Sequence, residues 1–169
     1  MTTILLLDDE SKVLSALQRA LRAQTALPGL HVEAFTDPYL ALERICVCDF
    51  DMAISDYRMP QMSGVEFLRA LRDVAPRTVR MMLSASTEFD TMMHAVNEAQ
   101  IFRFIPKPWL PADLQLAIEL AREQRQQLLL EAPPAAAPLT PQEQEARRLE
   151  EEEPGILRVR RAPDGSILM

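Results

Sequence analysis

Glycine is scarce in this chain: Gly29, Gly64, Gly155 and Gly165 are the only four in 169 residues. No two are close enough to form a P-loop or a dinucleotide-binding fingerprint. Nucleotide cradling by a glycine loop is therefore excluded. Cysteine is scarcer still, with only Cys46 and Cys48. A disulfide between such near neighbours would be strained. A structural zinc site needs about four ligands, and the two histidines, His31 and His94, are distant in sequence. Both thiols are expected to be reduced.

Long apolar runs are also missing. None approaches the roughly 18 residues of a membrane span. The start, M-T-T-I-L-L-L-D-D-E, has no basic region and meets acids after four apolar residues, unlike a signal peptide. The expected location is cytoplasmic, with no membrane partner. No basic stripe appears either. Residues 1–130 carry 17 acids and 13 bases (−4), residues 131–153 carry 7 and 2 (−5), and residues 154–169 carry 1 and 3 (+2). Nucleic-acid binding by this chain alone is not expected.

The residues present alternate between two periods. Apolar runs at 3–7, 30–35, 51–55, 78–83 and 101–105 read as strands. Residues 30–35 only partly alternate, as a less buried strand near an edge would. Between the runs lie helical patterns. Residues 11–24 carry Val13, Leu17, Ala20, Leu21 and Gln24 on or near one face. Residues 38–47 follow a Thr36-Asp37 cap, with Leu40, Leu42 and Ile45 inward. After Ser63-Gly64, Phe67, Leu68, Leu71 and Val74 form an apolar side. A helix is expected over about 88–99, and a long one over about 111–131 with Leu114, Ala117, Ile118, Ala121 and Leu128 buried. Alternating strands and helices imply an α/β fold: a doubly wound, five-stranded parallel sheet with helices on both faces. Residues 1–131 form this domain. Residues 132–153 read as a Pro/Ala-rich and acidic linker. Residues 154–169 read as a tail with a small β-hairpin turning at Pro163-Asp164-Gly165.

In such sheets chemistry gathers at the carboxyl ends of the strands. The runs there lead into Asp8-Asp9-Glu10, Asp56, Ser84 and Lys107. A single acid after a strand is equally well a helix cap. Several carboxylates at one rim repel each other and ask for a hard cation. Magnesium suits oxygen ligands and phosphate oxygens, and manganese can replace it. A carboxylate nucleophile there can form an aspartyl-phosphate, with an ammonium and a hydroxyl on the remaining oxygens. Lysine usage agrees. There are 16 arginines and two lysines, Lys12 and Lys107, and Lys107 stands between two prolines. A compact point charge is wanted there.

The motifs L-L-L-D-D-E, A-I-S-D-Y-R-M-P-Q-M-S-G, M-M-L-S-A-S and F-I-P-K-P-W resemble the CheY-like receiver domain of bacterial two-component response regulators, over about residues 3–125. The resemblance implies the flavodoxin-like strand order 2-1-3-4-5. It makes Asp56 the phosphoacceptor and gives magnesium to Asp8, Asp9, Asp56 and the carbonyl of Arg58. Ser84 and Phe104 fall on the switch positions, Lys107 on the family's lysine, and Arg58 and Ser86 on the positions that tune phosphoryl lifetime. Lys107-Pro108 is expected to be cis. The implied partners are a sensor histidine kinase or phosphotransfer protein and a downstream effector protein. The implied role is signalling rather than enzymatic turnover. The run I-F-R-F-I-P-K-P-W is also similar to receivers fused to cyclic-dinucleotide phosphodiesterase modules, yet residues 132–169 hold no recognisable DNA-binding or catalytic module. This reads as a stand-alone receiver with a short tail. Three other readings compete. A haloacid-dehalogenase-like phosphatase would need an acid where Arg58 stands. A flavodoxin-like carrier would set Asp8-Asp9-Glu10 against a flavin phosphate. A phosphorylation-independent scaffold would dimerise, with Leu128, Leu129 and Leu130 able to pair between copies and the 132–169 tail as the recruiting element.

Overall fold

The first strand, β1 (Thr2–Leu7), is buried along nearly its whole length. Its side chains alternate between two cores. Ile4 and Leu6 enter one, and Leu5 and Leu7 enter the other. This is why the run is continuously apolar: a strand covered on both faces has no polar side. The computed structural model describes residues 1–24, 27–85, 93 and 97–131. The linker, acidic run and hairpin expected after residue 131 lie outside them, as do Ser86 and most of the helix expected over 88–99.

The elements follow in the order α1 (Ser11–Ala23), β2 (Leu30–Phe35), α2 (Pro38–Val47), β3 (Met52–Asp56), α3 (Gly64–Val74), β4 (Val79–Ala85), β5 (Arg103–Lys107) and the final helix α4 (Pro111–Glu131). The strands form one sheet in the order β2-β1-β3-β4-β5, and every neighbouring pair is parallel. Helices α1 and α4 contribute to one core and α2 and α3 to the other. β2 is at the edge and is only half-buried, as its partial alternation implies. Among the described residues, no helix is long and apolar enough to cross a membrane.

The helical faces needed correction at single positions. In α1 the buried residues are Leu14, Leu17 and Leu21, and Val13 is half-buried. In α2, Ala41 faces inward with Ile45 while Leu40 is exposed. A small residue suits the close approach to the sheet, so residue size misled the assignment. Val74 of α3 is exposed too. α4 buries Leu114, Ala117, Ile118 and Ala121 as expected, but its next seam position is Arg125, and Leu128 is half-buried. Arg125 donates to Asp49 Oδ2 and to the Arg77 carbonyl oxygen, each at 2.7 Å. Its Nε lies 3.2 Å from Asp51 Oδ1, an ion pair without hydrogen-bond alignment. A buried guanidinium is tolerable only with such partners.

The fifth strand spans Arg103–Lys107 rather than 101–105. Among the described residues it is an edge strand paired only with β4. Pro106 has no N–H to donate, and an edge leaves one side of the strand free of that demand. Asp56 and Ser84 likewise sit within their strands rather than after them.

On the opposite edge, Glu33 of β2 accepts from Arg44 Nε (2.8 Å) and Nη2 (2.9 Å) of α2. The Arg44 hydrogen bonds hold the Glu33 carboxyl down from 4.5 to about 2. A depressed carboxyl stabilises the fold fully above its unfolded pKa, and the contribution fades as pH falls through the folded value. Glu33→Gln is therefore expected to flatten the pH dependence of stability between about 4.5 and 2. The loss at neutral pH is at most about 1 kcal/mol, because the pair is partly solvated. Urea unfolding of both proteins at pH 7 and pH 2.5 checks this. Equal differences at the two pH values would sink it.

Candidate functional site

Four strands end at one rim of the sheet, and each contributes one of the expected side chains or its neighbours. Asp8 directly follows β1 and is fully buried. Its main-chain N–H donates to Phe35 O, which holds it against β2. Asp8 Oδ1 accepts from the Glu10 N–H at 2.9 Å, so this carboxylate also orders the turn into α1. Asp56 ends β3, is 8% exposed, and is paired with Leu83 of β4. Tyr57 N donates to Leu83 O at 3.2 Å, which continues the ladder past the carboxylate. Asp9 is exposed at the rim. Oxygens of Asp8, Asp9 and Asp56 all lie within 4.8 Å of one another.

Lys107 closes the cluster. Its Nζ donates to Asp8 Oδ2 at 2.9 Å and to Asp56 Oδ1 at 3.0 Å. Sequence spacing placed this lysine at the rim. It did not reveal that one ammonium bridges two of the three acids. Burial raises the Asp56 carboxyl above the ordinary aspartate value. The Lys107 hydrogen bond opposes that rise and the Asp8 charge adds to it. Burial alone would lower Lys107, but the bonds to Asp8 and Asp56 outweigh it, and the ammonium is held above its usual value. The lysine is thus charged at neutral pH.

Three other expected residues lie in or just after β3, β4 and β5. Ser84 is buried in β4, one residue beyond the partner of Asp56, and is paired with Pro106. Phe104 is half-buried in β5 and packs against the core formed with α2 and α3. Arg58 is exposed two residues after Asp56. Lys107-Pro108 is cis, as expected. The importance of Gly64 was missed beyond its place as a helix opener. Its N–H donates to Tyr57 O at 2.9 Å, so the start of α3 presses on the main chain just after Asp56. The adjacent capping box fixes that helix start: Ser63 Oγ accepts from Glu66 N and Glu66 Oε2 from Ser63 N. The S-G pair three residues before a Phe-Leu face was the available signal.

Known proteins match this chain in both sequence and fold. The family model described as the response regulator receiver domain matches residues 4–119. The hydrogenase transcriptional regulatory protein HoxA of Bradyrhizobium diazoefficiens is 38% identical over 128 residues, which cover 73% of this chain and 25% of HoxA. The cyclic di-GMP phosphodiesterase response regulator RpfG of Xanthomonas campestris pv. campestris is 30% identical over 125 residues, covering 73% of this chain and 32% of RpfG. This chain therefore spans about a quarter to a third of these relatives. Among solved structures, the signal receiver domain of an HD domain-containing protein from Pseudomonas fluorescens Pf-5 superposes with a TM-score of 0.71 at 29% identity, covering 78% of this chain and 93% of that one. Receiver domains bind Mg2+ at an acidic pocket, and Asp8, Asp9 and Asp56 form an acidic cluster here. With its strand order, its acidic rim and a family match over most of residues 1–131, the chain belongs to the receiver domains of two-component response regulators.

Proposed function

We propose that Asp56 accepts a phosphoryl group from the phosphohistidine of a sensor kinase or phosphotransfer protein, and that the modified domain then presents an altered surface to an effector protein. The observation that carries this reading is the Lys107 ammonium shared between Asp8 and Asp56 beside a third carboxylate. Three acids with one bridging cation keep a net negative charge, and their all-oxygen donor set fits a hard divalent ion. Asp8, Asp9, Asp56 and the Arg58 carbonyl would hold Mg2+, with Mn2+ as a substitute. The ion supplies charge neutralisation for the entering phosphoryl oxygens.

An Asp56 carboxylate oxygen forms the new P–O bond as the donor P–N bond breaks, and the electron pair leaves with the imidazole nitrogen. Lys107 already contacts Asp56 Oδ1 and is placed to neutralise charge spreading onto the phosphoryl group. The Ser84 hydroxyl then donates to a phosphoryl oxygen, and this shift is read out through Phe104 in the neighbouring strand. Arg58 and Ser86 set how long the phosphoryl group survives. No separate substrate is turned over.

Incubation with phosphoramidate and Mg2+ is expected to add the mass of one phosphoryl group to the intact protein. Asp56→Asn or removal of the metal should abolish the adduct. A folded wild-type protein that gains no mass would count decisively against the reading. The scaffold reading has one observation in its favour: Leu129 and Leu130 of α4 are exposed. Sedimentation of the same samples separates the two, because a scaffold dimer associates equally with and without the phosphoryl group.

A further inference from the structure

Arg80 occupies a position that the alternation of β4 assigns to the core, and its side chain is buried there. A guanidinium at such a place needs several acceptors. It has three. Nε donates to Ala99 O at 3.0 Å, and Nη1 donates to Thr78 O at 2.9 Å and to Pro76 O at 3.3 Å. Arg80 also holds the same neighbouring segment by its main chain: its carbonyl oxygen accepts from Phe102 N at 2.8 Å. Arg72 of α3 adds a hydrogen bond to Glu98 O, and Arg69 an ion pair to the Glu98 carboxylate at 3.4 Å.

These bonds converge on one short stretch. Asn97, Glu98 and Ala99 are helical, and the helix stops at Gln100, which takes a left-handed φ of 50°. Cationic groups on the last carbonyls suit the negative end of a helix. Phe102 is followed at once by β5, where Arg103 pairs with Met81 and Lys107 with Ala85. A strand advances about 3.3 Å per residue, and a slip of one residue turns each side chain to the opposite face. The segment Ala99–Phe102, held by Arg80, leads directly into the strand that carries Lys107.

We propose that Arg80, backed by Arg72, is a positioning residue for the phosphoryl site: it fixes the register of β5 and so places Lys107 between Asp8 and Asp56. Its effect on transfer rests on the phosphoacceptor reading above; its effect on Lys107 does not.

The test uses Arg80→Met and Arg80→Lys, each alone and combined with Lys107→Met. In the full-length, metal-free protein, Arg80→Met should speed amide hydrogen exchange over residues 102–107 and leave β1 and β3 protected. Arg80→Lys keeps a charge and donors and should fall between it and wild type. Phosphoramidate-driven transfer should drop about tenfold in Arg80→Met, as a displaced catalytic group would cause. In the Lys107→Met background the same change should cost nothing further, since both act through one ammonium. Unchanged exchange in β5 would overturn the proposal. So would a full further loss of transfer in the double variant, which would mean Arg80 only stabilises the fold. The exchange experiment needs no phosphoryl chemistry. A wild type that exchanges as described yet takes up no phosphoryl group would fail the functional reading and leave the placement of Lys107 supported.

Discussion

Lys107→Met is expected to bind Mg2+ about tenfold more tightly than wild type while accepting a phosphoryl group roughly 10²-fold more slowly. The two effects have one cause. Lys107 Nζ sits 2.9 Å from Asp8 Oδ2 and 3.0 Å from Asp56 Oδ1, with Asp9 close by. In the resting protein it would compete with a divalent ion for the same carboxylate charge. Removing it leaves three acids to share the metal alone. During transfer, however, negative charge develops on phosphoryl oxygens, and a fixed ammonium beside Asp56 is what would neutralise it. Stability should report the same change. Asp8 is fully buried, and a buried carboxylate stripped of its cation is costly. The metal-free variant should therefore melt below wild type and gain more from added Mg2+, because the ion binds only the folded form. Isothermal titration, melting with and without Mg2+, and the rate of mass gain from phosphoramidate measure the three quantities. Weaker Mg2+ binding in the variant would show that Lys107 supports the metal ligands rather than opposing the ion.

The strand positions were legible in the sequence because β1, β3 and β4 are covered on both faces. Such strands must be apolar throughout, and T-I-L-L-L or M-A-I-S cannot be mistaken for a solvated segment. The acids were legible because three carboxylates and a rare lysine at the strand ends have no common structural use. The failures have a different origin. Ala41 was overlooked and Leu40 chosen because hydrophobicity by size ranks leucine first, while a helix lying close on a sheet needs a small residue at the contact. β5 was placed two residues early because its bounds were taken from the apolar run I-F-R-F-I, whereas an edge strand also tolerates the Pro106 that follows. Arg80 and Arg125 could not be found at all. Each is an arginine on a core-facing position whose burial is licensed by carbonyls and carboxylates distant in sequence: Ala99 for one, Asp49 and Asp51 for the other. No local pattern announces such partners. The same holds for Gly64, whose constraint comes from a main chain seven residues away folded back against it.

That constraint yields the largest expected effect on the fold. A Cβ on Gly64 would overlap the Asp56 carbonyl oxygen and come within 3.0 Å of the Asp56 carbonyl carbon and 3.1 Å of Tyr57 Cα. These are main-chain atoms of the strand end, so no rotamer change can relieve the clash. Either α3 moves outward or the end of β3 moves with it. Gly64→Ala is expected to destabilise by about 2 kcal/mol or more, as overpacking does, and to lower the melting temperature by roughly 5–10 °C. It should also slow phosphoryl uptake, because the displaced carbonyl belongs to Asp56 itself. Ser63→Ala provides the comparison. It removes the Oγ that caps Glu66 N and should cost about 1 kcal/mol, without pressing on Asp56. The two variants therefore separate stability from placement. Ser63→Ala should melt early yet accept the phosphoryl group at the wild-type rate well below its melting temperature, whereas Gly64→Ala should remain slow at any temperature where it is folded. If the two variants differ only in melting temperature and transfer equally fast, the contact between Gly64 and the Asp56 main chain has no bearing on the site.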